Sequence, residues 1–214
     1  DRGGETEERE VRRYTREVDG GTNYLLVFHS PSGIRGSALL THQHDNTADD
    51  QWLYLPAVGQ MKRIAEGGRR NAFMGTDYTY EDLISEPKDK FAYTRLDDED
   101  LDGKAHFVVE AVPTDPEIKA ESGYSKRRLW ISQDHYMITR VDYWDRRERL
   151  IKRQTNSELV QVEGDAWRAN RSRMENLRRK HATETVTLER TFDEDAVPSR
   201  MFQQRFVTSG RHLR

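Results

Sequence analysis

Apolar and polar residues alternate with a period of two along most of this 214-residue chain. The clearest stretch, residues 104–112, carries its apolar set at Ala105, Phe107, Val109 and Ala111 and polar residues at Lys104, His106 and Glu110. Successive side chains of a β-strand point to opposite faces, so this pattern predicts a strand with one buried face and one solvated face. A chain built from about ten such strands is expected to fold as an antiparallel meander.

The same alternation predicts further strands at residues 10–18, 22–29, 34–43, 91–96, 125–132, 136–144, 147–155, 158–163, 167–174 and 183–192. Tight-turn sequences separate many of them, for example Asp19-Gly20-Gly21, Asp102-Gly103 and Gly164-Asp165. These dipeptides favour hairpins, so neighbouring strands are expected to pair in antiparallel order.

Helical signals are few. Residues 76–83 begin with Thr and Asp and carry acids in the first turn, and residues 198–206 begin with Pro, so both stretches predict short helices. Residues 171–181 are compatible with a helix by propensity, but the flanking turns and the alternation around Trp167 favour strands.

Composition limits the classes of function. The 35 basic and 38 acidic residues give a net charge of -3, which argues against a general polyanion binder and against disorder. The absence of cysteine excludes disulfides, thiolate catalysis and cysteine-ligated zinc. The chain contains no run of 18 apolar residues, so no transmembrane helix is predicted. The 4 Trp, 9 Tyr and 7 Phe supply large rings suited to a thin core or a cavity lining.

Two groups of residues suggest chemistry, and each has a simpler interpretation. His42 and His44 share one face of a strand and could chelate a metal, as in a metal-dependent hydrolase, or form a polar strand end. The arginines between Arg140 and Lys180 could bind single-stranded nucleic acid, but interleaved acids favour a solvated sheet face with ion pairs. No acid–base pair, nucleophile elbow or cofactor loop is evident. We therefore expect a non-enzyme with no catalytic residue, metal ligand or cofactor.

Three segments, residues 28–40, 52–64 and 73–83, carry a family resemblance. The second reads Trp-Leu-Tyr-Leu-Pro-Ala-Val-Gly-Gln-Met-Lys-Arg-Ile, and the third Phe-Met-Gly-Thr-Asp-Tyr-Thr-Tyr-Glu-Asp-Leu. Together they resemble the outer-membrane lipoprotein-sorting proteins of the LolA/LolB-like superfamily, of the type associated with RND exporters. The resemblance implies a mainly β fold, a single curved antiparallel sheet that forms an incomplete (half) barrel with short helices closing its mouth.

The resemblance also implies a ligand and a place for it. Members of the superfamily are periplasmic and bind acyl chains in the concave face of the half-barrel. The lipid-binding candidates are Leu26, Phe28, Leu40, Trp52, Tyr54, Phe73, Met74, Tyr78, Tyr80, Phe107 and Trp130. The alternative is that these side chains form ordinary core.

We expect residues 1–214 to form a single LolA-like domain, from which a signal peptide has been removed. Family members begin with a helix and a first strand, whereas Asp1-Arg2-Gly3-Gly4 reads as a hairpin turn, so such elements are expected upstream. The expected function is a periplasmic carrier of lipid or lipoprotein acyl chains, peripheral to the membrane at most. The alternative is a protein-interaction or assembly module that works with an RND-type exporter.

Overall fold

The computed structural model describes residues 6–45 and 47–213. The first sheet contains five strands: β1 (Glu10–Val18), β2 (Gly21–Ser30), β3 (Ala38–His44), β4 (Asp50–Leu55) and β5 (Gln60–Arg63). The second contains seven: β6 (Phe91–Leu101), β7 (Lys104–Pro113), β8 (Tyr124–Ser132), β9 (Ile138–Asp145), β10 (Leu150–Glu163), β11 (Ala166–Asn176) and β12 (His181–Val186). The helices are α1 (Pro116–Glu121), α2 (Gln204–Thr208) and 3-10 turns at Glu66–Gly68, Glu81–Leu83, Lys88–Lys90, Ser199–Phe202 and Arg211–Leu213.

Both sheets are antiparallel meanders in which each strand pairs with its sequence neighbours. The prediction of a mainly β, antiparallel fold with few helices is therefore confirmed. The strands are divided between two sheets, where the resemblance implied one. Residues 64–90 separate β5 from β6 and contain turns, 3-10 helices and one isolated bridge between Ala72 and Thr79, so the ladder does not continue through them.

The chain divides into two compact units. The larger unit, Gly67–Arg190, contains the seven-stranded sheet. The smaller unit contains the five-stranded sheet and the C-terminal residues from Thr191 onward. Residues 1–4, where a hairpin turn is expected, lie outside the described residues. Among the described residues, no helix has both the length and the apolar character needed to cross a membrane.

The smaller unit buries one face of its sheet under the C-terminal segment. Leu25 on β2 lies opposite Leu40 on β3, and Leu40 lies opposite Trp52 on β4. The residues that complete this core, from the sheet and from the C-terminal segment, are Tyr14, Val27, Ala38, Tyr54, Met61, Val197, Met201, Phe202, Phe206, Val207 and Leu213. The docking is close at Gly36 (φ 84°), where an added Cβ would lie 3.1 Å from Leu213.

The two faces of the seven-stranded sheet differ in character. Residues directly opposite each other in a ladder share a face, so the register assigns each side chain to one side. We call the inner face the side that carries Phe107, Leu129, Val141, Tyr143 and Met174. The outer face carries a row of charged residues that crosses five strands: Glu110, Arg128, Asp142, Arg153 and Glu175.

Several predicted elements change in extent. The predicted helix at residues 76–83 is limited to the 3-10 turn Glu81–Leu83, because its acids bond to neighbouring strands. The predicted helix at 198–206 is split between the 3-10 turn Ser199–Phe202 and α2. Residues 171–181 are not helical: residues 171–176 belong to β11, residues 177–180 form a turn, and β12 begins at His181. Helix α1 was missed, although Asp115 caps its first turn by accepting hydrogen bonds from the backbone N–H groups of Glu117 and Ile118.

The core of the smaller unit makes a testable prediction. Leu25 is fully buried, so Leu25→Ala should lower the free energy of unfolding by about 2 to 5 kcal/mol through lost burial and a cavity. The control Leu188→Ala removes the same atoms from a side chain that is 90% exposed and should change stability by less than about 0.5 kcal/mol. Urea denaturation followed by circular dichroism measures both values, and equal losses would contradict the assigned core.

Candidate functional site

An apolar patch lies on the inner face of the seven-stranded sheet. Phe107, Ile131 and Ile138 lie opposite one another on β7, β8 and β9, and Val109 and Leu129 form the next row. We call these five residues the apolar patch. All five are half-buried, so they present an apolar surface about 10 Å wide across three strands.

A bulge on β9 brings Ile138 into this patch. Trp130 lies opposite Arg140 and the adjacent Ile131 lies opposite Ile138, so Thr139 is the extra residue. The Thr139 hydroxyl bonds to His106 Nε2 at 2.8 Å, on the outer face. Thr139 and Arg140 thus share the outer face, and Ile138 is returned to the inner face.

One end of the apolar patch is bordered by aromatic and basic side chains. The Phe107 ring stacks on Tyr136 with 6.2 Å between ring centroids, and the Arg95 guanidinium lies 4.9 Å from the Phe107 centroid. Tyr136 is 74% exposed. The patch therefore opens toward solvent at this end.

A row of basic residues follows the apolar rows on the inner face. Arg127, Lys152 and His181 belong to one row that crosses the sheet, one on each of β8, β10 and β12. We call these three residues the basic row. Residues 73–86, which we call the crossing segment, run over this row and supply two carboxylates to Arg127 and one each to Lys152 and His181.

The first of these contacts joins Asp77 to β12. Asp77 Oδ2 lies 2.6 Å from His181 Nδ1 and accepts a hydrogen bond of 2.8 Å from the Thr183 hydroxyl. The Asp77 backbone N–H donates to the same hydroxyl oxygen. Nearby, the Tyr78 hydroxyl lies 3.1 Å from Ser172 Oγ, and its ring packs against the inner-face core. This end of the crossing segment is thus fixed by four polar contacts.

The second contact is a buried ion pair. Lys152 Nζ lies 3.1 Å from Asp82 Oδ2, and both side chains are less than 10% exposed. The Tyr124 hydroxyl donates to Asp82 Oδ1 at 2.8 Å and accepts from Lys152 Nζ at 2.9 Å. Burial, followed by the charge of Asp82, raises the pKa of Tyr124 well above its usual value, so the phenol stays protonated and can donate.

The third contact is centred on Arg127. Its guanidinium donates to Glu81 Oε1 at 3.0 Å and to Glu86 Oε2 at 2.6 Å. Burial by itself lowers the pKa of Arg127, but the charges of Glu81 and Glu86 raise it above its usual value. Glu81 also accepts from the Gly123 backbone N–H at 3.0 Å, so the carboxylate is held from both sides.

The crossing segment contains four of the predicted lipid-binding residues. Phe73 and Tyr80 are buried and pack edge to face with 5.4 Å between ring centroids. Met74 adopts a φ of 49° and is followed by Gly75 at 79°, which turns the chain before Tyr78. Their proposed contact with a lipid remains a prediction.

Five predicted lipid-binding residues lie in the smaller unit, and the register separates them. Leu40, Trp52 and Tyr54 share the face that packs under the C-terminal segment. Leu26 lies opposite Leu39 and therefore lies on the other face, together with Phe28 two positions along β2. These five side chains do not share one surface, because both odd and even positions of β2–β4 are apolar.

Trp130 and Phe107 also lie on opposite faces of their sheet. Trp130 lies on the outer face, donates from Nε1 to Glu99 at 2.8 Å and stacks under Arg140 at 4.1 Å. The outer face also holds the cross-strand ion pairs that the interleaved charges predicted, for example Arg128 with Glu110 and Arg153 with Asp142. Lys152 is an exception to that prediction, since it faces inward.

The two histidines considered as metal ligands have structural contacts. His42 Nε2 bonds to the Phe202 carbonyl at 2.7 Å, and its ring packs against Trp52 at 5.1 Å. His44 Nε2 lies 3.5 Å from Asp50 Oδ2. Over residues 6–45 and 47–213, no cluster of three or more His, Asp or Glu side chains is arranged to hold a metal ion.

Sequence reasoning missed most of the apolar patch. It selected Phe107 but not Val109, Leu129, Ile131 or Ile138 as site residues. The alternation placed Val109 on the same face as Phe107, so this one neighbour could have been predicted from the sequence. The partners on β8 and β9 require the register between strands, which no local pattern specifies.

Comparison with known proteins places this architecture among LolA-like folds. A solved structure named as an outer membrane lipoprotein-sorting protein domain, from Vibrio parahaemolyticus, is 35% identical and has a TM-score of 0.86, covering 94% of this chain and 83% of that one. A DUF1329 family protein from Desulfovibrio piger is 24% identical with a TM-score of 0.77, covering 92% and 86%. A LolA superfamily protein from Nitrosomonas europaea is 18% identical with a TM-score of 0.63, covering 92% and 88%.

The family follows from these matches. A protein-family model described as "Uncharacterized protein" matches residues 20–209, and a search of curated proteins found no match. The chain belongs to the family of outer-membrane lipoprotein-sorting proteins, and its fold is LolA-like. The predicted resemblance to lipoprotein-sorting proteins is thereby confirmed, and the association with RND exporters stays a prediction.

The Asp82–Lys152 pair yields a prediction. Lys152→Met leaves the buried Asp82 carboxylate without its cation and should destabilise the larger unit by about 3 to 5 kcal/mol. Hydrogen exchange of the amides at residues 77–83 should accelerate. Lys126→Met is the matched control, with a cost of at most about 1 kcal/mol, because Arg128 still pairs with Glu110. Adding Asp82→Asn to Lys152→Met should recover part of the loss, and no recovery would argue against an ion-pair effect.

Asp142 yields a pH prediction. Burial alone would raise the pKa of its carboxyl, but hydrogen bonds from Arg153 and Arg140 outweigh burial and lower it. A carboxyl whose pKa is lower in the folded state than its unfolded-state pKa of about 3.9 stabilises the fold at pH values above that unfolded-state pKa. That stabilisation is lost as the pH falls through the folded-state pKa. Between pH 5 and pH 2.5, Asp142→Asn should therefore lose less unfolding free energy than the wild type. The exposed Asp165→Asn is the control for removing one carboxylate, and a wild-type slope in Asp142→Asn would refute the assignment.

Proposed function

We propose that this protein is a periplasmic carrier that binds acyl chains of a lipid or lipoprotein non-covalently and transfers them to an acceptor. The observation that carries the proposal is the apolar patch: five half-buried apolar side chains on one sheet face, beside a segment held by ion pairs. Its relative from Vibrio parahaemolyticus is named for lipoprotein sorting, which supports the same class of function.

Burial of the acyl chain supplies the binding energy. Each methylene moved from water to an apolar surface contributes about 0.8 kcal/mol, so ten methylenes contribute about 8 kcal/mol at most. The apolar patch has aliphatic side chains on three strands and an aromatic ring at one end. These side chains adapt to a flexible chain and need no directional bonds.

The crossing segment gives the site its second boundary. Its carboxylates are paired with the basic row, so it lies over the row next to Val109 and Leu129. Tyr78 packs against the same core as Leu129 and Ile138. An acyl chain on the patch would therefore meet this segment at one side, and movement of the segment would change the apolar area available to the chain.

Carrier function requires no bond making or breaking by the protein. The proposed protein is accordingly not an enzyme and uses no cofactor. We place it in the periplasm, peripheral to the membrane, on the strength of its family. We also propose that the two units act together as one LolA-like domain, with the half-barrel of the superfamily as the binding concavity.

A second candidate is a protein-interaction module. Strand β12 is an edge strand, and the exposed Val186 and Leu188 lie at and beyond its end. A partner such as an RND-type exporter could add a strand at this edge. The two candidates differ in what occupies the apolar patch.

The experiment combines ligand detection with variants of the patch. Native mass spectrometry of protein purified from its own host should show bound lipid, and a fluorescent fatty acid should be displaced by added lipid. Ile131→Asp introduces a charge into the patch and should weaken fatty-acid binding at least about tenfold, since a charge on an apolar surface costs more than 1.4 kcal/mol. Val186→Asp is the matched control at an exposed strand position and should bind as the wild type does.

A second variant separates binding from folding. Ile131→Trp fills the patch without adding charge, so it should weaken binding while the melting temperature stays close to that of the wild type. Wild-type fatty-acid affinity in both Ile131 variants would rule out the patch. Absence of lipid together with a stoichiometric protein partner would favour the interaction module.

A further inference from the structure

The last part of the C-terminal segment, residues 196–214, has a charge composition unlike the rest of the chain. Residues 196–214 contain no Asp or Glu and four arginines, whereas the whole chain has 38 acids against 35 Lys and Arg. Three of those arginines, Arg200, Arg205 and Arg211, lie within the described residues and are exposed. An excess of unopposed positive charge in so short a segment favours an anionic ligand.

These three arginines surround one pocket of the smaller unit. The pocket has a volume of about 420 Å³, and its lining consists of Arg200, Gln203, Arg205, Phe206, Ser209 and Arg211. The lining contains no acidic residue. A site with three cations, a hydroxyl, an amide and one aromatic ring has the donors and the apolar floor that a small organic anion requires.

The floor of the pocket is fixed by the core beneath it. Phe206 packs against the core cluster, and its neighbours Phe202 and Val207 are fully buried. His212 is also buried and bonds through Nε2 to the Gly36 carbonyl at 2.9 Å. The arginines therefore project from a segment whose backbone is held at both ends.

The guanidinium groups have donors to spare. Arg205 Nε donates to Gln203 Oε1 at 2.7 Å, which orients the group and leaves its other four N–H donors for a ligand. Within the described part of the chain, the guanidinium groups of Arg200 and Arg211 have no hydrogen bond or ion pair. Planar guanidinium groups bind phosphate through paired hydrogen bonds more effectively than lysines do.

We propose that this pocket, which we call the arginine pocket, binds a phosphate-bearing anion. Phosphate offers acceptor oxygens on all sides and can be shared among three guanidinium groups, and Phe206 can accommodate an apolar part attached to it. The phosphate could belong to the headgroup of a membrane lipid or to a free phosphate compound. The pocket is assigned from the smaller unit alone and does not depend on the apolar patch.

The test replaces the three arginines in the full chain. The triple variant Arg200→Gln, Arg205→Gln and Arg211→Gln is compared with a control that carries Arg147→Gln, Arg168→Gln and Arg179→Gln, which are exposed arginines of the larger unit. Both variants lose the same charge. One arm measures binding of inorganic phosphate by titration calorimetry, and the other measures co-sedimentation with phosphatidylglycerol vesicles, with phosphatidylcholine vesicles as the reference.

The wild type and the control should bind in at least one arm, and the triple variant should bind at least about tenfold more weakly there, since a charged hydrogen bond contributes about tenfold in affinity. Saturable phosphate binding identifies a free anion, and vesicle binding without it identifies a headgroup. No binding by the wild type in either arm, or equal losses in the two triple variants, would overturn the proposal. Fatty-acid displacement should be the same in the wild type and the triple variant, so the carrier proposal is tested separately.

Discussion

The pairing of three carboxylates with the basic row organises the larger unit. Glu81, Asp82 and Asp77 contact Arg127, Lys152 and His181, which lie on alternate strands of one row. Burying charges costs several kcal/mol per ion, so such pairs contribute little net stability compared with apolar contacts. What they fix is position: each carboxylate has one cation within reach, so a shift of the crossing segment along the sheet would leave charges buried and unpaired. The border of the apolar patch follows from that constraint.

Alternation and turn chemistry predicted most of the strands, although β4 and β5 were not among them and β12 ends at Val186, six residues before its predicted end. Asp102-Gly103 and Gly164-Asp165 join strands as expected, and residues 171–176 belong to a strand, as the flanking turns indicated. These features are local, because a side chain two positions along a strand always returns to the same face. The family could also be predicted from the sequence, since three short segments resemble its members.

The face of the sheet on which each side chain lies was harder to predict from the sequence. Trp130 and Phe107 were both assigned to one cavity, yet they lie on opposite faces because β7 and β8 pair Val108 with Trp130 and Phe107 with Ile131. The extra residue Thr139 also interrupts the alternation of side chains between the two faces within β9. Register is set by pairing between strands, and a shift of one residue exchanges every side chain between faces. The basic row was hidden for the same reason: Lys152 and Arg153 are adjacent in sequence, and only pairing shows that one faces inward.

The charge pattern of the seven-stranded sheet explains how a chain with a third of its residues charged keeps an apolar face. On the outer face, Arg128 and Arg153 are paired with carboxylates of neighbouring strands, in a solvated setting where each pair contributes at most about 1 kcal/mol. On the inner face, charges are concentrated in the basic row, which the crossing segment covers, and Arg95 lies on β6 at the edge of the patch, opposite Val109. The five residues of the apolar patch carry no charge, so the patch lies directly beside a paired polar layer. An apolar ligand placed there would lose contact with water without separating any ion pair.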